Sequence, residues 1–203
     1  MSDPAFLISA FVTLFVVVDP IGLTPLFIAL TTGATAAHRR AVALRACLIA
    51  AVLLTVFGLA GEIILTAIGI TMPAFQIAGG ILLFLTALDM LFERRTQRRA
   101  HHAGAVPDPS VFPLAMPLIA GPGAMASMIL LVGQTSDWGG VLAVHGVMLS
   151  VLVIVFALFQ VATPLERALG PTGTMVVTRL LGMLLAALSV QFVLNGARAA
   201  GVI

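Results

Sequence analysis

Two long apolar runs in this chain are interrupted near their midpoints by proline and glycine, and no other feature limits the possible folds as tightly. The first holds VDPIGLTP, Val18 to Pro25, and the second PLAMPLIAGPGA, Pro113 to Ala124. A proline inside a helix removes one backbone hydrogen bond and clashes with the carbonyl four residues earlier, at a cost of about 3 kcal/mol or more. Pro20 thus frees the carbonyl of Val16, Pro25 that of Ile21 and Pro122 that of Leu118. The residue before a proline is pushed out of the helical region, which falls on Asp19 and Gly121. A chain that breaks its helices within apolar sequence must satisfy the released groups from its own interior.

The surroundings of those breaks are membrane-like. The chain of 203 residues is 61% hydrophobic and 9% charged, with a mean hydropathy of +1.18. A soluble domain carries about 25% charged residues, so most of this surface must face lipid. Six apolar segments, near 5–30, 44–66, 73–92, 111–133, 139–162 and 174–197, are each long enough to cross a core of about 30 Å at about 1.5 Å per residue. Thr71 and Thr174 are the expected N-caps of the third and sixth. Turns are expected at Ala36 to Arg45, Gly69 to Pro73, Gln134 to Asp137 and Pro164 to Gly173, with a longer polar loop from Glu93 to Ser110. The N-terminus lacks a basic stretch and a cleavage site and reads as a retained first span.

All ten basic residues are arginine, and they cluster between spans. With both termini outside, the cytoplasmic connections hold Arg39, Arg40, Arg45, Arg94, Arg95, Arg98, Arg99 and Arg167, with Arg179 just within the sixth span. Only Arg198 then falls outside, as positive-inside placement requires. The basic balance is therefore a topology signal and not a nucleic-acid surface. His101 and His102 are adjacent without partner ligands, which gives no metal geometry. Cys47 reads as a small core or lipid-facing residue, and Glu62 and His145 as interfacial.

A shift of 102 residues lays one half of the chain on the other. Pro20 falls on Pro122, Asp19 on Gly121, Gly22 on Ala124, and GILL from Gly80 on GMLL from Gly182. With three spans each, residues 1–100 and 101–203 form inverted repeats in an all-α, six-span membrane protein. This is a common plan of secondary transporters, in which one half rocks against the other.

The pseudo-twofold axis would bring the broken first and fourth helices together. Freed carbonyls, freed amides and two positive half-helix N-termini would then meet at mid-membrane, a setting for a small zwitterion. The candidate substrate-binding residues are Asp19, Pro20, Ile21, Gly22, Thr24 and Pro25 in the first half, and Gly121, Pro122, Gly123, Ala124 and Ser127 in the second. A carboxylate near the bilayer centre costs about 2.5–3.5 kcal/mol on insertion scales, so Asp19 needs a task. It can bind an amine, carry a proton, or cap the half-helix that starts at Pro20. Thr13, Gln76, Thr86, Thr178, Ser189 and Gln191 read as helix–helix contacts. No nucleotide, redox or hydrolase motif is present, so the chain reads as a non-enzyme without a cofactor, and any coupling as proton coupling. A membrane scaffold and a lipid-modifying enzyme are the alternatives.

LFVVVDPIGLTPLFIALT (Leu14 to Thr31), AGGILLFLTALDML (Ala78 to Leu91), FPLAMPLIAGPGAMASMILL (Phe112 to Leu131) and TRLLGMLLAALSVQFVLNG (Thr178 to Gly196) resemble the MarC/SnatA family of membrane proteins. The resemblance runs over the whole chain. It implies a six-span inner-membrane protein that moves small neutral amino acids such as glycine and alanine. It also implies site roles for Asp19, Pro20, Gly22, Pro25, Gly121, Pro122 and Gly123, with asparagine an alternative to aspartate at position 19.

Overall fold

A capping side chain, a proline in the first turn, or both mark most helix starts in the computed structural model, which describes residues 4–31, 33–92 and 108–202. The elements are α1 (Pro4–Val18), α2 (Pro20–Leu30), α3 (Ala36–Ala67), α4 (Met72–Leu91), α5 (Ser110–Ile119), α6 (Pro122–Gly133), α7 (Trp138–Gln160) and α8 (Ala162–Ala199). No strand occurs among the described residues. Thr71 caps α4 as expected, accepting from the Ala74 amide at 3.4 Å. Thr35 caps α3 and Asp137 caps α7, through the amides of His38 and Gly140.

Among the described residues, four apolar stretches are long enough to cross a membrane: Pro4–Thr24, Ala36–Ala67, Trp138–Gln160 and Met175–Ala199. Met72–Leu88 and Gly123–Gly133 are shorter apolar helices. On α3 the buried residues Val42, Ala46, Ala50, Leu54, Gly61 and Leu65 recur at helical spacing. Leu48, Val52, Val56 and Ile63 stand exposed on the other side. In water such a face would be an aggregation site; in lipid it is the solvated surface. The stretch containing α1 is the central one, 50% buried against 24–28% for the other three.

Three expectations need correction. Ala36 to Arg45 is no turn: Thr35 starts the helix there, so α3 runs 32 residues, about 48 Å, and carries its arginines beyond the hydrocarbon. The fourth span is not a helix broken only at Gly121. In α5, Phe112 and Met116 are extended (φ −129° at both), and each precedes a proline. Because Pro113 has no N–H to offer the Pro109 carbonyl, the Leu114 amide reaches it instead at 3.1 Å, and the coil widens. Finally, Thr174 is not the N-cap of a new helix, although the apolar stretch expected there does run from Met175 to Ala199. α8 runs through Pro164 to Gly173 and leaves helical geometry only at Gly170, whose φ of 62° suits a residue without a side chain. Residues 93–107, with Arg94 to Arg99, His101 and His102, lie outside the described residues, as do the side chains of Asp89 and Thr178.

The closest helix pair is α4 against α8, antiparallel and joined through glycine. A Cβ on Gly80 would lie 2.8 Å from the Ser189 carbonyl oxygen and 2.8 Å from Val193 Cγ2. One on Gly182 would lie 3.4 Å from both the Ala87 carbonyl oxygen and Leu91 Cγ, and 3.0 Å from Met90 Cβ. Gly182, Ala87 and Leu91 each stand 102 positions from Gly80, Ser189 and Val193. Small residues that let backbones touch are a main source of association in lipid, where the hydrophobic effect does not drive helices together. Where α3 meets α5, Asp108 takes an ion pair from Arg45 at 2.7 Å. The hydroxyl and amide of Ser110, with Arg45 adding to them, hold its carboxyl below the usual range.

Replacing Gly80 by leucine is expected to destabilise the protein by about 1–3 kcal/mol, because the neighbour it strikes is backbone. The measurement is thermal unfolding in detergent. Gly146→Ala serves as control, with open space around the added carbon, and leaves the transition where it was.

Candidate functional site

Asp19 is where α1 ends and α2 begins. Its backbone is left-handed (φ 54°, ψ 63°), a conformation that aspartate tolerates better than most residues. Its N–H donates to the Phe15 carbonyl at 3.0 Å, closing α1 as a left-handed C-terminal cap does. Its own carbonyl accepts from Leu23 at 3.0 Å and so opens α2. One carboxylate oxygen, Oδ1, accepts the Gly22 N–H at 3.0 Å. This is the side-chain cap of a helix whose first residue is Pro20. A Cβ on Gly22 would run into the Asp19 carboxylate, which explains the glycine two residues after the proline. The Thr24 hydroxyl donates to the Pro20 carbonyl at 3.0 Å. Asp19 is 1% exposed, deep in the protein.

The second break has other chemistry. Gly121 (φ −79°, ψ 169°) is extended and starts α6 at Pro122 with no side chain to cap it. Its carbonyl accepts from Met125 at 3.0 Å. Gly123 then packs tightly: a Cβ there would lie 3.0 Å from Leu83 Cδ2 and 3.3 Å from Val17 Cγ1. Val17 is two residues before Asp19, so the first turn of α6 rests on the last turn of α1, and the two breaks come together.

Among the candidate residues, Pro20, Thr24, Gly123, Ala124 and Ser127 are buried with Asp19, while Ile21, Gly22 and Gly121 are half-buried. The side chains of Pro25 and Pro122 lie outside the described residues, though their backbones are helical. Ser127 is 0% exposed, and its Oγ has no hydrogen-bond partner among the described residues. Its burial among α6 neighbours suits the inward position expected of it.

Sequence reasoning missed two features around the breaks. Phe27 of α2 and Phe159 of α7, both buried, stack at 4.2 Å and 3°, with the Arg39 guanidinium 5.6 Å from the Phe27 ring centre. No local motif marks residues so far apart in the chain. The other is a cavity of about 100 Å³ between α1, α6 and α8, bounded by Thr13, Leu131 and Gln191 among others. Gln191 was read as helix–helix contact; here it borders open space. A larger groove of about 740 Å³ lies elsewhere, at the ends of α3, α6 and α7, with Glu62 and Trp138 on its walls. His145 is turned inward and not merely interfacial, its Nδ1 2.8 Å from the Val141 carbonyl and its Nε2 buried. Cys47 is buried, in keeping with a core residue.

Helices long and apolar enough to cross a bilayer several times, with lipid-type faces, define a multi-pass integral membrane protein. The chain belongs to the MarC family of integral membrane proteins, which it matches over residues 5–200. It is 36% identical over 203 residues to a UPF0056 membrane protein of Methanocaldococcus jannaschii, covering 98% of each chain. It is 35% identical to one of Aquifex aeolicus, covering 93% of this chain and 91% of that one. It is 36% identical to the UPF0056 membrane protein YhcE of Escherichia coli, covering 92% and 89%. No solved structure matches the chain.

The cap at Asp19 yields a graded expectation. Asp19→Asn keeps an oxygen for the Gly22 amide and stays close to wild-type stability. Asp19→Ala loses about 0.5–2 kcal/mol, read as earlier thermal unfolding in detergent.

Proposed function

We propose that the chain is a secondary transporter of small neutral amino acids of the glycine and alanine kind, with the substrate held between the two broken helices. The observation that carries this reading is the contact of Gly123 with Val17, which joins the two mid-span helix starts. At each start, a helix N-terminus with its unbonded amides favours a carboxylate, and released carbonyls favour an ammonium group. A reading as a non-enzyme agrees with the absence of any catalytic motif in the sequence.

The inverted-repeat plan is part of the proposal. It is supported by caps that recur 102 positions apart, Asp19 with Gly121 and Thr35 with Asp137. The reciprocal contacts of Gly80 and Gly182 support it as well. On this plan α5 and α6 together make the fourth span, and both termini lie on the outer face of a bacterial inner membrane, as the arginine distribution requires. The halves would alternate access by rocking. With the termini on the outer face, the stacked Phe27 and Phe159 would lie toward the cytoplasmic side of the breaks and the small cavity bounded by Thr13 toward the outer side. Asp19 is the candidate proton carrier, supported by the place of an acidic side chain deep in the protein at the first break.

Counterflow of labelled alanine in proteoliposomes tests the reading. Wild-type protein is expected to exchange it, and Gly123→Leu to lose at least about tenfold in rate while remaining folded, because a larger side chain separates α6 from α1. A wild type that exchanges no glycine, alanine or serine overturns the proposal and leaves a scaffold role. Asp19→Asn separates coupling from binding: if the proton role holds, exchange survives and proton-driven accumulation is lost.

A further inference from the structure

We propose that the cavity of about 100 Å³ between α1, α6 and α8 is a second binding site, an outer recess that captures a small neutral polar solute before it reaches the breaks. This rests on the transport reading for its purpose, but not for its chemistry.

The lining is unusual for this chain. Only six carboxamide side chains occur in the whole sequence, five glutamines and one asparagine. Three of them, Gln134, Gln191 and Asn195, border this one cavity, together with the hydroxyls of Ser9 and Thr13. They come from three separate segments: Ser9 and Thr13 from α1, Gln134 just after α6, and Gln191 and Asn195 from α8. Their meeting is therefore a property of the tertiary fold and not of one helix face. Thr13 is buried, whereas Ser9, Gln134, Gln191 and Asn195 stay exposed, so the recess is open to an arriving solute and its amides and hydroxyls are accessible to it.

The chemistry selects the ligand. Among the described residues no lining side chain carries a formal charge, so these residues do not select a cation or an anion by charge. Carboxamides and hydroxyls both donate and accept, and they match a zwitterion or a neutral hydroxylated solute. Gln191 Nε2 donates to Asn195 Oδ1 at 2.8 Å. That bond fixes the pair and turns the acceptor oxygen of Gln191 and the donor nitrogen of Asn195 to other uses. The volume holds the share of about three waters and lies well below the roughly 300–1,000 Å³ of sites for drug-sized molecules. A lipid tail or a bulky drug does not fit.

The position links the recess to the breaks. Thr13 and Leu131 bound it. One helical turn further along the same faces stand Val17 on α1 and Ser127 on α6. Val17 is the residue that Gly123 touches, and Ser127 holds a fully buried hydroxyl without a partner among the described residues. A solute moving inward from the recess meets this hydroxyl before it meets the α6 N-terminus.

The test uses the full chain in membrane vesicles. Ser9→Cys, combined with Cys47→Ala to remove the one native thiol, is labelled by a membrane-impermeant thiol reagent from the face bearing the N-terminus. Alanine, glycine and serine are expected to slow labelling. Gln191→Leu is expected to raise the half-protecting alanine concentration about two- to tenfold, the effect of one lost hydrogen bond at an exposed side chain. Gly123→Leu, which should stop counterflow, is expected to leave protection unchanged. If Ser9→Cys does not fold, Gln134→Cys carries the same label. The proposal is overturned if a protein that transports alanine shows no protection, or if Gly123→Leu abolishes it, since the effect then arises at the breaks. Protection without counterflow in the wild type would sink the transport reading and leave the recess standing.

Discussion

The hydrogen bond from the Gly22 amide to the Asp19 carboxylate is the contact on which the centre of this protein depends. Lipid offers no partner for a backbone group, so a chain can leave helical geometry inside a membrane only where it carries its own replacement. Asp19 supplies that replacement within four residues. Its amide finishes one helix, its carbonyl begins the next, and its side chain takes a donor that Pro20 and the turn would otherwise leave exposed. The D-P-x-G sequence is thus a compact device: acid for the cap, proline for the first helical position, glycine where a side chain would strike the acid.

The second half solves the same problem with different chemistry. Gly121 has no side chain to offer, and the run before it, α5, is wound wide by prolines at every fourth position, Pro109, Pro113 and Pro117. One break therefore carries an acidic side chain that closes it locally, and the other is formed from backbone alone. Any solute lying between them meets an asymmetric environment, even where the helices on either side are related by a common shift.

Of the roles open to Asp19, the cap was legible in sequence, because Asp19, Pro20 and Gly22 are neighbours and their effects are local. Thr71 was readable for the same reason. Other features were hidden by competition between local and longer-range effects. Arginines at Arg39 and Arg40 looked like a turn, yet arginine is a good helix former and Thr35 supplies a cap, so the helix simply continues out of the lipid. Proline and glycine between Pro164 and Gly173 suggested a loop, but only Gly170 departs from helical geometry. Before Gly121 the prolines act together: Pro113 and Pro117 extend Phe112 and Met116, and the helix expected there gives way to a wider coil. The carboxamides of the outer recess could not be grouped in advance, because Ser9, Gln134 and Gln191 meet only through the packing of three segments.

The glycine contacts between α4 and α8 have a mechanical consequence. Where Gly80 meets the Ser189 backbone and Gly182 meets the Ala87 backbone, the distance between the two helix axes is set by main chain and not by side-chain size. Such a seam leaves no room for even one added methyl group at either glycine, so the spacing of α4 and α8 is fixed by residues that have nothing to trim.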